Sequence, residues 1–398
     1  MKIVFDKQLI LGPAHTNKLN PDGSKNRQYN VKGPGVIYNN INNEAIMFYE
    51  GREAKFNSLE DPKELQGTGY FGAIFAVKSP DNWKTMSFFD KNFQEIERNI
   101  QKSIINTTDI NIAVDGQTDP RLTFFEPFQK YYAIINSTNR STIQLLKEET
   151  KGNKSLPLRG STPELYNFLD PKNINSLGFI GPRDIYFKNV ILHSKLVTID
   201  NEPNVLIICR KLPSIQGFTI PLKDFSKLYE DENFRNQYWM KQLEPNNIEI
   251  CTILKPIFSW EAKGDANYPE GQIAPACAPI EVISGENKKV WLFIYNTVSY
   301  FDENKRSHGR VIGAVLLDYE DPRKVINRSP IPIIIPTEID NCEKGRKASI
   351  FATSSYVDNK QVLRIFYSAA DVNIIMASCP LLKIINYLDQ FDKNGNFI

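Results

Sequence analysis

The chain has 398 residues, and its 48 Lys and Arg set against 46 Asp and Glu leave a net charge of +2. That balance offers no sign-biased field for nucleic acid or an anionic membrane surface. With 24 Pro, 21 Gly and 11% aromatic residues the composition suits a turn-rich β protein long enough to bury a large core.

At the N-terminus, MKIVFDKQLILGP is broken by Asp6 and Lys7 and does not read as a signal peptide. No apolar run reaches the length of a membrane span, so a cytoplasmic protein without a membrane partner is expected. A three-strand pattern then recurs five times. Opening strands read GPGVIY from Gly33, TDPRLTFF from Thr118, KNVILHSKLV from Lys188, CAPIEVI from Cys277 and KASIFATSS from Lys347. Their partners read EAIMFYEG from Glu44, KYYAIINS from Lys130, NVLIICRK from Asn204, KVWLFIYN from Lys289 and QVLRIFYS from Gln361. Third strands read GAIFAVKSPDNW from Gly72, STIQLLKEE from Ser141, GFTIPLKDF from Gly217, VIGAVLLDYEDP from Val311 and DVNIIMAS from Asp371.

Each unit is a meander that buries its apolar faces only against neighbours, and arranging such units around an axis removes most exposed edges. We therefore expect an all-β fold: a five-bladed β-propeller in one domain, with blades near 31–83, 115–150, 185–225, 275–325 and 345–380. Helical spacing in Phe93–Ile105 and Asp224–Leu243 predicts helical insertions, and Lys151–Arg183 reads as a long loop. Pro380–Phe391 reads as a final amphipathic helix whose apolar face is Leu381, Leu382, Ile384, Ile385 and Leu388, docked on the outside of the wheel.

Five scattered cysteines without a C-x-x-C argue for reduced thiols, and His15, His193 and His308 share no ligand spacing, so no metal is expected. The strongest chemical signal is Val114–Glu126, VDGQTDPRLTFFE, where Pro120 delivers Asp119 and Arg121 together at the mouth of a strand. In a propeller the starts of the opening strands converge. Gly35, Asp119, Asn189, Pro279 and Lys347 would then border one mouth, with Lys32, Arg121, Lys188, His193, Lys195 and Glu281 as its polar groups. Carboxylates among aromatic side chains such as Tyr38, Tyr49, Phe71, Trp260 and Tyr268 point to a sugar site. The same Asp119 and Arg121 also fit an ion pair pinning a blade.

Several segments, in collinear order, resemble glycoside hydrolase family 130, the mannoside phosphorylases and related mannosidases. TDPR resembles that family's EDPR-type signature, and GPGVIYNN with EAIMFYEG its first blade. KNVILHSKLV followed by LIICRKLP is similar to its KD-x-x-LFPEK and HRP stretch. RVIGAVLLDYEDPRKVINRSPIPIIIPTE is similar to its GAALLDLEDP-x-K-V-x-x-RS run, and FYSAADVNIIMAS to its YYGAAD strand.

The resemblance implies an inverting enzyme that cleaves β-mannosidic oligosaccharides by phosphorolysis or hydrolysis, with Asp119 as general acid. It implies Arg121 and Asp371 as substrate-binding residues and Arg210 as a phosphate contact; by their charge at the expected mouth, Glu50, Lys195 and Glu281 join the substrate-binding set and Arg140 and Lys188 the phosphate-binding set. Inorganic phosphate would be the co-substrate, with no cofactor. Thr118, Lys195, Cys209 and Glu50 depart from the family pattern, standing where it has Glu, Glu, His and Arg. Arg183 would add to a basic pocket, whereas Glu261 with Glu50 and Glu281 would offer a base for water. A non-catalytic sugar-binding propeller is the alternative reading.

Overall fold

The computed structural model describes residues 3–12, 17–19, 25–39, 41–53, 72–89, 95–96, 113–139, 162–168, 175–179, 188–211, 213–231, 233–234, 237–238, 250–261, 271–297, 300–301, 307–340, 349–370 and 372–398. These residues form a mostly β, propeller-like structure with few helices. The recurring meanders are present and are four strands deep rather than three. The first comprises Lys25–Asn39, Glu44–Glu53, Gly72–Ser79 and Ser87–Phe89, and the second Ala113–Phe125, Lys130–Asn139, Thr162–Phe168 and Asn175–Phe179. The third runs Lys188–Ile199, Glu202–Lys211, Ser214–Pro221 and Cys251–Leu254. In the fourth, Ile273–Pro275 and Ile280–Ile283 share the partner Lys289–Thr297, followed by Ile312–Asp318 and Val325–Arg328. The last has Ile350–Val357, Val362–Ala369 and Asn373–Pro380.

Its fourth strand is Asp6–Leu11, from the other end of the chain, running antiparallel to Asn373–Pro380 with Asp6 opposite Ser378. The apolar N-terminal run is thus a strand that completes the final meander. Ring closure follows from the packing of the inner strands. Lys25–Asn39 lies against Ala113–Phe125 and Ile350–Val357, Ala113–Phe125 against Lys188–Ile199, Lys188–Ile199 against Ile273–Pro275, and Lys289–Thr297 against Ile350–Val357.

Hydrogen bonding gathers these strands into four large sheets, not the five expected. The parallel pairing of Gly72 with Gly116 joins the first two meanders into one ten-stranded sheet. Glycine on both sides lets the two backbones approach where side chains would hold neighbouring blades apart.

Three further expectations need correction. Within the stretch read as a helix, Glu95–Ile96 is extended and pairs with Phe88 and Phe89, because a sheet edge offered backbone partners that outweigh helical spacing. In the presumed loop, Thr162–Phe168 pairs along its whole length with Lys130–Asn139, its Pro163 sitting near the strand start. The expected third strand from Ser141 lies outside the described residues. The insertion helix begins early, at Leu222, and breaks after Glu230, where Asp231 turns its carboxylate onto the N–H groups of Asn233 and Phe234; Asn233, Phe234, Gln237 and Tyr238 are helical again, as expected.

The final helix, Leu381–Leu388, buries Leu381, Ile384, Ile385, Tyr387 and Leu388 in the core shared by the last two meanders, whereas Leu382 is 64% exposed. Among the described residues no helix is long and apolar enough to cross a membrane.

Candidate active site

Three successive inner strands repeat one backbone device. Gly33, Asp119 and Asn189 have φ of 59°, 50° and 53°, each at a break in pairing register, mid-strand for the first two and at the second residue of the strand for Asn189. Left-handed backbone is the preserve of Gly, then Asn and Asp, because a Cβ there costs about 1–2 kcal/mol. The letters Gly, Asp and Asn at these equivalent places are therefore a structural requirement before they are chemistry. Only Asp119 adds a titratable group.

Asp119 is half-buried and held from the side of the first meander. A Cβ on Gly33 would come 2.9 Å from the Asp119 Cα and 3.0 Å from its Oδ1, and one on Gly35 would meet the Pro120 carbonyl at 2.7 Å. Both glycines are thus needed for the Gly-Pro-Gly strand to lie flat against Asp-Pro. The cradle is tied to the last meander as well. Gly33 N–H donates to Ser368 Oγ at 2.8 Å, Val36 N–H to Ser354 Oγ at 2.9 Å, and Thr353 Oγ1 to the Pro34 carbonyl at 2.7 Å.

Arg121 does not pair with Asp119. It is 2% exposed, and its Nε donates to the Ala276 carbonyl at 3.1 Å. Ala276 belongs to the fourth meander, which does not neighbour the second, so this bond crosses the axis. The guanidinium also lies 5.9 Å from the Phe351 ring centroid in the last meander. Burial pulls the Arg121 pKa below its ordinary value, while the charges of Asp119 and Cys277 act the other way. Its Nη2 has no hydrogen-bond partner among the described residues. Arg121 thus closes the channel just inside Asp119.

Other candidates fall into two groups. At the Asp119 end, Glu50 is fully buried in an ion pair with Lys32 at 3.6 Å, the two residues being opposite each other in register. Arg210 is half-buried there, opposite Lys188 in register, next to a wholly buried Cys209 whose thiol pKa burial pushes up. The side chain of Lys188 and all of Arg140, Arg183, Lys347 and Asp371 lie outside the described residues, as do Phe71 and Tyr268. The neighbours of Asp371 close on the same hub, with Val31 N–H donating to the Val372 carbonyl at 3.2 Å. Sequence reasoning missed Arg310, half-buried, whose guanidinium stands 5.0 Å from the same Phe351 ring and whose carbonyl accepts from Ile350 N–H at the start of the last inner strand.

Lys195 and Glu281 form the second group, further along the inner strands, roughly 15–20 Å from the level of Asp119 at about 3.3 Å rise per residue. They pair with each other, with Glu126 at 3.6 Å from the Lys195 Nζ and Lys289 at 2.9 Å from Glu281. Burial alone would lower the Lys195 pKa, but the bonds to Glu281 and Tyr319 and the charge of Glu126 outweigh it and hold the ammonium above its usual value. Tyr49 and Trp260 are core side chains, the latter donating to the Pro330 carbonyl at 2.8 Å.

His193 sits between the two ends, 1% exposed, edge-on to Trp291 at 4.4 Å. Burial first, opposed by its backbone bond to Lys195 and reinforced by the Lys195 charge, drives its pKa down to about 4. The unfolded chain therefore binds this proton before the folded one does. The stability contribution is complete above pH about 6.5 and is lost as the pH falls from there toward 4, at about 1.4 kcal/mol per unit. His193→Gln is expected to flatten that part of the acid limb in urea unfolding measured from pH 7 to 4; an unchanged slope would assign the acid sensitivity to other groups.

The model of glycoside hydrolase family 130, described as beta-1,4-mannooligosaccharide phosphorylase, matches residues 214–390. Within residues 214–390, less than half of its length, the chain is similar to that family. It is similar to the beta-1,2-mannobiose phosphorylase of Listeria innocua, 30% identical over 125 residues, a match that takes in 31% of this chain and 31% of that protein. The solved structure of that Listeria phosphorylase with beta-1,2-mannobiose superposes with a TM-score of 0.60 at 16% identity, covering 98% of this chain and 99% of the other. A putative glycoside hydrolase from Parabacteroides distasonis gives 0.59 at 12% identity, covering 95% and 97%. At such identities the likeness of structure speaks for the propeller fold alone. The family match begins at residue 214, beyond Asp119, Arg121 and Arg210.

Proposed function

We propose that this chain cleaves β-mannosidic oligosaccharides by inverting phosphorolysis, in a single propeller of five blades whose first two are fused at Gly72 and Gly116. Asp119 is the general acid, protonating the departing glycosidic oxygen while phosphate attacks the anomeric carbon from the opposite face. The observation that carries this reading is the state of the carboxylates. Asp119 stands half-buried at the axial mouth, clear of an ion pair with Arg121. The carboxylates that would serve as a base for water are engaged: Glu50 by Lys32, Glu281 by Lys195 and Lys289, Glu261 by Arg328. Arg310 and Arg210 at the same end are suited to an anionic nucleophile. Arg121, fixed at Nε, keeps Nη2 available to a substrate hydroxyl or to the anion.

The test is product analysis with β-manno-oligosaccharides in buffers with and without inorganic phosphate. A sugar 1-phosphate released only when phosphate is present is the expected result. Free sugar released equally in both buffers would make the chain a hydrolase, and sugar binding without turnover in either would make it a binding protein.

A further inference from the structure

The opposite end of the axis carries a second cavity, of about 1050 Å³, bordered by residues from all five meanders. It lies beyond the Arg121 crossing, at the ends of the inner strands rather than their starts. Its mouth faces solvent, since Phe124 and Ile283 on its wall are 37% and 50% exposed.

The wall has a definite chemical character. Tyr38 and Tyr356 stack face to face with centroids 4.4 Å apart and an 8° interplanar angle, and Phe124 leans on Tyr131 at 5.0 Å. Tyr356 is 8% exposed and covered by Tyr38 and Phe366, so the rings with area to offer the cavity are the half-buried Tyr38 and Tyr131 and the exposed Phe124. The side-chain amides of Asn287, Asn359 and Asn386 stand exposed on the rim. Each carboxylate on the wall is already matched: Glu126 by Lys195, Glu281 by Lys195 and Lys289, and Asp358 by Arg364 at 2.8 Å.

A ligand carrying phosphate or carboxylate would have to break one of those pairs to be neutralised, and a lipid chain would make no use of the rim amides, which stay in water beside it. A neutral polyhydroxylated chain meets every requirement. Its C–H faces lie on the rings, and its hydroxyls donate to the paired carboxylates and both donate to and accept from the amides. We propose that this distal mouth is a second binding site, for a neutral oligosaccharide, separated from the Asp119 mouth by Arg121. Neither Asp119 nor Arg121 lines this cavity, so sugar held here is not the sugar being cleaved; the site retains the protein on a longer glycan.

This inference rests on the catalytic reading only in making a β-mannan the first probe, so the test uses β-mannotetraose and cellotetraose side by side. Binding to the full chain is followed by titration calorimetry without phosphate, and mannobiose phosphorolysis is assayed in parallel. Phe124→Ala and, at a more solvent-facing position that does not threaten folding, Ile283→Glu are each expected to weaken binding of one tetraose by tenfold or more, about 1.4 kcal/mol. Mannobiose turnover is expected to stay at the parent level. Absence of binding by either tetraose, or affinities that neither substitution alters, overturns the proposal. A chain that turns over no mannoside yet loses tetraose binding on these substitutions upholds the distal site and removes the catalytic reading alone.

Discussion

Asp119→Asn is expected to lower kcat for β-mannoside phosphorolysis by roughly 10²–10⁴-fold, the usual contribution of a positioned general acid, with KM little changed. Asparagine is the informative replacement because it tolerates the left-handed backbone that position 119 requires and leaves the contact with Gly33 intact. Thermal stability should therefore stay at the parent value. An aryl mannoside, whose leaving group needs no proton, should lose far less activity than mannobiose in the same variant. That contrast separates proton donation from a merely structural carboxylate. Equal losses on both substrates, or a fall in stability matching the fall in rate, would remove Asp119 from the acid role.

How much of this arrangement is legible in the letters differs from strand to strand. Short continuous apolar runs in EAIMFYEG, NVLIICRK, KVWLFIYN and QVLRIFYS identify the central strands, since these are buried on both faces. The fourth strands were missed because they are short edges such as Val325–Arg328, in which Ile326 is exposed and only Arg328 is buried. Asp6–Leu11 was missed for another reason: its partner is more than three hundred residues away, and no local pattern reports that.

The site shows the same division. Alternation puts Asp119 and Arg121 on one face, implying an ion pair; a left-handed residue at a bulge turns them apart, and the cation finds a carbonyl across the axis instead. Lys195 and Glu281 were placed with Asp119 because all stand on inner strands. A strand has two ends, however, and residue type does not say which one a charge occupies. Gly33, Asp119 and Asn189 did carry a readable signal, as the three residue types that accept positive φ at matching places in consecutive repeats.

Removing Glu261 is expected to give the largest loss of stability of any single carboxylate discussed above, about 3–5 kcal/mol for Glu261→Ala. Its side chain is fully buried, one oxygen accepting the N–H groups of Ile257 at 2.6 Å and Phe258 at 2.9 Å, the other taking the Tyr295 hydroxyl at 2.8 Å and the Arg328 guanidinium. Arg328 is 3% exposed and stacks 5.1 Å from the Phe258 ring, so without the carboxylate a cation is left in the core with only ring faces for company. Burial would lower the Arg328 pKa, but Tyr295 and Glu261 together hold it above its ordinary value, which keeps the charge in place and the penalty large. Replacing both ends, Glu261→Met with Arg328→Met, should recover only part of the loss, because two backbone donors and a tyrosine hydroxyl still lack their acceptor. Urea unfolding of the single and double variants measures this. A single-variant loss below about 1 kcal/mol would contradict the keystone role. If Glu261→Gln instead kept its stability and abolished release of free sugar in phosphate-free buffer, Glu261 would be the base of a hydrolase, and phosphorolysis would have to be abandoned.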